Sequence, residues 1–474
     1  MSNSVNNIPV EVKLYEKSEK IYPREVKGRF QTLRTICVYA LLGLYYILPW
    51  IQWGDRQAVL FDLPERKFHI FFLTFWPQDF FFLTLLLIMA GLALFFFTAI
   101  AGRVWCGFAC PQTVWTEAFI WMERWVEGSR AQQIKLAASP WSFNKIRKRV
   151  TKQALWLSFS LFTGLTFVGF FQPIGQLFAD FFALELGGWA LFWVLFYGFA
   201  TYGNAGFMRE QVCKYMCPYA RFQSAMFDAD TLIVAYDAAR GEPRHRGKKR
   251  KDSTQENLGD CIDCGICVQV CPTGIDIRDG LQYECIACAA CIDGCDDVMA
   301  KVGLPPGLIK YSTESEDKGE KRSLIQTLLR PRVIVYAVLL TLFLSGFLIA
   351  LSQRANFQVD ILRDRNAFYR YSEEGEIENT YQVRLMNKSQ LDQHYSVSVS
   401  GLDKARISWV KPDANGHSRV VEAGEIGEFS IIATLPVEAE FKRSQLVQFI
   451  FTEVAGDGGD QVSEKARFWG PAQR

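Results

Sequence analysis

Between residues 35 and 351 the apolar positions come in long runs; after Leu351 they come at every second position. The runs are 35–51, 79–101, 154–171, 188–206 and 333–351. Each approaches the ~20 apolar residues that carry a helix across a bilayer. They predict about five transmembrane helices, with the two ends of the chain on opposite sides. Beyond them, TYQVRLMN, HYSVSVSG, ARISWV, EFSIIATLP, SQLVQFIFTEV and KARFWG alternate apolar and polar residues between clusters of Asn, Gly, Asp and Pro. That alternation is the mark of half-buried strands, and several at this spacing predict an all-β sandwich. The sandwich is expected to be immunoglobulin-like but without the disulfide, because its segment contains no cysteine.

The polar segments set the orientation, because inner loops are enriched in Lys and Arg. Segment 1–34 carries seven such residues, loop 53–78 three, loop 102–153 nine and loop 172–187 none. The alternation puts segment 1–34 and the basic loops inside and residues 352–474 outside. Trp50, Trp53 and Trp76 are then expected at the outer interface, where amphipathic rings settle. Segment 1–34 is too long and too mixed for a cleaved signal. The plan is an inner segment at 1–34, four spans at 35–206, an inner cysteine-rich domain at 207–310, a linker at 311–332, a fifth span at 333–351 and an outer sandwich at 352–474.

Composition adds little to this. The net charge of +2 over 474 residues names no partner, and the excess of Phe belongs to the apolar runs. The basic run Lys248–Lys251 lies in a hydrophilic linker, 240–258, and is read as an inner-face segment attracted to anionic lipid, not as a nucleic-acid patch. His394 and His417 read as surface histidines, since neither has companions for a metal site.

Cysteine changes the picture. Eight of the 13 fall in two runs of C-x2-C-x2-C-x3-C, at Cys261, Cys264, Cys267 and Cys271, then Cys285, Cys288, Cys291 and Cys295. This is the spacing of bacterial two-cluster ferredoxins, in which the fourth cysteine of a run serves the other cluster. One [4Fe–4S] cluster is assigned Cys261, Cys264, Cys267 and Cys295, and the other Cys285, Cys288, Cys291 and Cys271. Zinc sites space their pairs differently, and disulfides need an oxidising compartment. Pro272 follows Cys271, whereas Asp296 follows Cys295.

Four more cysteines form two copies of C-x3-C-P, Cys106/Cys110 and Cys213/Cys217, each just past the end of an apolar run. Proline disfavours helix for the residue before it and suits the first helical position. Cys110 and Cys217 are therefore expected at breaks, each starting a new helix whose N-terminus favours thiolate. Soft thiolates suit Cu(I), and four together suit copper or another iron–sulfur centre. Met208 and Met216 are near enough in sequence to add thioethers. A lone pair of this kind would read as small residues packing helices; the duplication favours chemistry. Cys37 is left as a buried structural thiol.

Together, GRVWCGFACPQTVWTEAF, VCKYMCPYARFQSAMFD, CIDCGICVQVCPTGIDIRDGLQYECIACAACIDGCDDVM and the C-terminal β segment resemble the cytochrome c oxidase accessory protein family, the FixG or RdxA type. The likeness covers nearly the whole chain, and the ending CDDVM without proline is itself like that family. The resemblance implies a bacterial inner-membrane protein, with the ferredoxin domain cytoplasmic and the sandwich periplasmic. It implies a reductase that turns Cu(II) into Cu(I) for assembly of the cbb-type haem–copper oxidase. It further implies copper or electron acceptance at Cys106, Cys110, Cys213 and Cys217. Expected partners are membrane lipid, a copper chaperone or oxidase subunits, and a flavoprotein or quinol donor; self-association is compatible. The alternative reading is a quinol-linked electron relay that uses the same clusters and binds no copper.

Overall fold

The computed structural model describes residues 20–471 apart from 55, 246–257, 318–323, 365–366, 411–417, 437–442 and 455–458. His417, the run Lys248–Lys251 and most of the linker before the clusters lie outside the described residues.

Three described helices are long and apolar enough to cross a membrane: Arg29–Trp50, Pro77–Ala101 and Pro331–Ser352. Leu86, Leu87 and Phe97 on the second, and Leu342 and Leu348 on the third, stand exposed, as lipid-facing side chains do. A fourth span is available from Ile174–Ala183 with Gly188–Met208, bent by 95° at their junction. The loop expected at 172–187 thus contains a helix. The run 154–171 lies in the continuous helix Phe143–Val168, which is not among these spans. Its first ten residues include Lys145, Arg147, Lys148, Arg149 and Lys152, and such charges are costly in hydrocarbon.

The chain divides into two compact units. One comprises Met1–Ile47, Gly91–Val168 and Leu177–Val338. Within it, helix Pro111–Glu127 packs on Phe143–Val168, with the Phe119 and Trp156 rings 5.3 Å apart and the Trp156 indole donating to the Phe119 carbonyl at 3.2 Å. A buried ion network crosses the same interface. Glu123 meets Arg209 at 2.7 Å, Lys152 at 3.5 Å and Lys20, and Lys152 also meets Glu127 at 2.9 Å. Strand Ile233–Tyr236 pairs antiparallel with Ile309–Ser312 and clasps the two ends of the cysteine-rich segment. Helix Arg29–Ile47 is tied to that segment by Asp293, whose carboxylate accepts from the Phe30 and Gln31 amides at 3.2 and 2.7 Å. A Cβ on Gly28 would stand 2.3 Å from Asp293 Cγ, so this approach requires glycine.

The second unit comprises Leu48–Ala90, Gly169–Gln176 and Leu339–Arg474. Its sandwich has one sheet ordered Arg406–Trp409, Ile426–Leu435, Ile377–Asn387, Phe357–Arg363, and another ordered Ser418–Val421, Gln393–Ser400, Ser444–Glu453, Gln461–Trp469; all pairings are antiparallel. Alternation does the work: Val359, Tyr381, Val383, Phe449, Phe451 and Phe468 point inward and are fully buried. Each such side chain contributes roughly 1.5–3 kcal/mol. His394 is exposed, as its sequence context led one to expect. Residues 59–75, read as loop, form a three-stranded sheet, Val59–Asp62, Lys67–Ile70 and Leu73–Phe75. Trp50 and Trp53 are exposed, but Trp76 is buried, with Lys67 Nζ 5.4 Å from its ring centre. That small sheet supplies the cover an interfacial ring would lack. Beside it, Asp79 pairs with Arg354 at 2.7 Å and Lys388 at 2.9 Å, all three buried to a tenth or so of exposure.

Candidate metal centres

Two left-handed residues shape each ferredoxin run. Asp263 and Gly265 in the first, and Ala287 and Ala289 in the second, have φ of 48°, 65°, 53° and 60°. They occupy equivalent places, second and fourth after the leading cysteine. The turn points amides inward, as where the Ala287 N–H donates to Cys285 Sγ at 3.4 Å. Helices Ile266–Val270 and Ala290–Val302 follow, with Gly265 and Ala289 as their caps.

The fourth cysteine of each run crosses over. Cys271, Cys285, Cys288 and Cys291 line one cavity, together with Cys267 and apolar side chains such as Ile277 and Ile286. Cys295 lies in the field of Cys267, Cys264 and Cys261. Burial pushes the Cys285 and Cys295 thiols up to about 12 and Cys267 to about 11, with neighbouring cysteines adding in each case. No three His, Cys, Asp or Glu side chains among the described residues close on a single metal ion. A four-iron cluster is a larger guest, with its thiolates farther apart. All-thiol donor sets facing an apolar chamber fit it.

The two C-x3-C-P motifs fold alike where proline governs. Cys110 (φ −61°, ψ 130°) and Cys217 (φ −78°, ψ 109°) are extended and cap the helices Pro111–Glu127 and Pro218–Met226. Each closes its motif with an amide bond five residues back, Cys110 to the Trp105 carbonyl at 2.9 Å and Cys217 to Val212 at 2.8 Å. The leading cysteines differ: Cys106 sits in the short helix Val104–Phe108, Cys213 in the π-helical turn Val212–Met216. A second π-helical turn, Tyr202–Met208, precedes it, and between the two Arg209 adopts φ 42°. Such turns cluster at functional sites.

The four thiols are neighbours. Cys106 lies in the field of Cys110 and Cys213, Cys213 in that of Cys110 and Cys217, and Cys110 in that of Cys217. Burial is the larger influence and pushes Cys106 up to about 12, Cys213 to about 11 and Cys110 upward as well. At Cys110 the expectation that the helix start would favour thiolate is corrected. The amides of Thr113 and Gln112 do pull Cys110 in that direction, but burial outweighs them. Met216 is 56% exposed, so no thioether from it is packed at the site. Cys37 is half-buried, and all 13 cysteines are free.

Both motifs rest on the loops of the second cavity. Cys106 packs with Ile286, Cys288 and Cys291 in one apolar cluster. A Cβ on Gly107 would stand 2.8 Å from Cys288 Cα and from the Ile286 carbonyl, so glycine sets this distance. From the second motif, Lys214 Nζ donates to the Thr273 carbonyl at 3.2 Å, and the Thr273 hydroxyl lies 3.3 Å from Cys271 Sγ. A cavity lined by Thr113, Thr116, Glu210 and Thr273 together with apolar Ile21, Ile120 and Ile286 takes in one of the four thiols, Cys213. Two residues at the site escaped sequence reasoning. Gln223, fully buried, accepts from Cys106 Sγ at 3.3 Å. Arg103, 6% exposed, donates to the Ala220 and Tyr283 carbonyls. The available signal was a lone cation at the end of an apolar run, three residues before Cys106.

Membrane-type helices joined to a two-run ferredoxin segment define an iron–sulfur electron-transfer protein of the membrane. Residues 208–314 match a family model described as a 4Fe-4S dicluster domain, residues 81–128 one described as a 4Fe-4S binding domain, and residues 347–471 one described as the IG-like fold at the C-terminal of FixG, putative oxidoreductase. The chain is 40% identical over 473 residues to the nitrogen fixation protein FixG of Rhizobium meliloti, covering 92% of this chain and 90% of that one. It is 44% identical to protein RdxB of Cereibacter sphaeroides over 82% of this chain and 83% of that one, and 38% identical to protein RdxA of the same organism over 96% and 98%. The chain belongs to the FixG/RdxA family.

Proposed function

We propose that the protein reduces Cu(II) to Cu(I) at Cys106, Cys110, Cys213 and Cys217, in support of assembly of the cbb-type haem–copper oxidase. In this reading Cys261, Cys264, Cys267 and Cys295 hold one [4Fe–4S] cluster, and Cys271, Cys285, Cys288 and Cys291 the other. When bound, the clusters store single electrons and supply them to copper. The chain's own residues do the rest. The thiols take up the copper substrate and give their protons to solvent; no three of them converge on one ion among the described residues, so binding requires them to draw together around it. Each Cu(II) gains one electron and becomes Cu(I), which thiolate retains. The observation that carries the reading is the contact of the Cys106 motif with the Cys288 loop, at glycine distance.

The charge pattern supports a cytoplasmic ferredoxin segment and a periplasmic sandwich in this scheme. The sandwich then docks a copper chaperone or an oxidase subunit, and a flavoprotein or quinol supplies electrons. The test is the double variant Cys213→Ser/Cys217→Ser, with both clusters still visible by electron paramagnetic resonance. Cupric reduction should fall to background; a wild-type rate would remove copper from these thiols.

A second reading has its own support. The match to a 4Fe-4S binding model over residues 81–128 includes Cys106 and Cys110 as its only cysteines. It favours an electron relay, quinol-linked and without copper. Metal content decides: stoichiometric copper that vanishes in the four-cysteine variant supports reduction, and its absence from copper-loaded wild type supports the relay.

A further inference from the structure

Three segments flank the cysteines of the two sites: the turn before Cys106, the helix after Cys217 and the loop before Cys285. One side chain touches all three. Arg103 leaves the chain three residues before Cys106, and its two terminal nitrogens donate to Ala220, in helix Pro218–Met226, and to Tyr283, two residues before Cys285. It is 6% exposed, so water screens its charge little. We propose that Arg103 is the positioning and potential-setting residue between the two sites: its forked contacts fix the four-thiol site against the Cys285 loop, and its charge favours the reduced state of the cluster held there.

The physical argument has two parts. A planar guanidinium with parallel donors fixes two carbonyls at once, which an ammonium does not. Reduction adds one negative charge, and a buried cation nearby raises the potential of a cluster through that charge. Arg103 acts through the thiols and is not itself a ligand.

The inference rests on the reading that Cys271, Cys285, Cys288 and Cys291 hold a cluster; it does not need copper. Redox titration of the full-length protein in lipid nanodiscs, followed by electron paramagnetic resonance, tests it. Arg103→Met should shift one cluster to lower potential and leave the other in place. Arg103→Lys should recover most of that shift but let a maleimide reagent label Cys106 faster than in wild type, because the fork is gone. Equal potentials in wild type, Met and Lys proteins would overturn the inference alone. Wild-type protein with iron for fewer than two clusters would overturn the ligand reading and this inference with it. Should Arg103→Met lose its iron, Arg103→Gln and Arg103→Lys carry the same comparison, since both keep a donor: a lower potential in Gln supports the inference, and equal potentials refute it.

Discussion

The ferredoxin runs and the C-x3-C-P motifs both bury thiols at one end of the same unit, yet they are built in opposite ways. In the runs, three cysteines share one short loop, and paired left-handed residues fix their directions locally. In the motifs, each copy brings only two cysteines, and the site exists because helices Pro111–Glu127 and Pro218–Met226 are held together by residues elsewhere. A local cage tolerates loosening of the scaffold, whereas an assembled site depends on it. The consequence is that scaffold changes should damage the second site before the first.

The largest effect separates the two outright. Cys288→Ser should remove one cluster, halving the iron of purified protein, while Cys217→Ser should leave iron whole and remove copper retention. Loss of iron in Cys217→Ser would mean that the two sites are one. Next comes the scaffold of the assembled site. Glu123→Gln leaves Arg209 buried without its carboxylate, while Lys152 keeps Glu127; the unpaired cation costs about 3–5 kcal/mol. Burial alone would raise the Glu123 carboxyl, but Arg209 and Lys20 overcome it and hold it near about 2, below its ordinary 4.5. The network therefore contributes in full above pH 4.5 and is lost as pH falls toward 2. Thermal unfolding should show the wild type's advantage over Glu123→Gln narrowing across that window; a constant gap would contradict the assignment. In the variant, copper retention should fail while the iron content holds.

Proton balance comes third. Cys106 and Cys213 are pushed up to about 12 and about 11, chiefly by burial, so the empty site is protonated at neutral pH. Thiolate binding must then release protons, and affinity should rise roughly ten-fold per pH unit for each proton released. Competition with a Cu(I) chelator between pH 6 and 8 measures the slope. A flat profile would show that thiols are not the ligands.

What could be read from the sequence divides along the same line. Local rules sufficed for the ferredoxin runs, for the proline breaks at Cys110 and Cys217, and for the strands around Val383 and Phe449. They failed where a distant part of the chain intervenes. Trp76 was expected at an interface but is buried under a small sheet built from residues 59–75. Cys110 was expected to favour thiolate from its place at a helix start, and burial by tertiary neighbours reverses that. Arg103 and Gln223 become visible only when the two motifs are brought together.

The smallest effect probes the local cage from inside. Gly265 and Ala289 hold the same position in the two runs, with φ of 65° and 60°. Only one is glycine, and an L-residue in this region costs roughly 1–2 kcal/mol. No atom lies closer than 4.0 Å to a Cβ placed on Gly265, so Gly265→Ala would meet backbone strain and little else. Ala289→Gly relieves that strain but gives back about 1 kcal/mol through the freer unfolded chain. The two terms oppose each other in both variants, so Gly265→Ala should destabilise by at most about 1 kcal/mol and Ala289→Gly should stabilise by at most about 1 kcal/mol, less any packing that the Ala289 methyl supplies. Denaturant melts followed by cluster absorbance compare them with wild type. Equal and opposite shifts would show that the backbone alone decides both positions, and a loss in Ala289→Gly would show that Ala289 is kept for its packing, since it is 1% exposed.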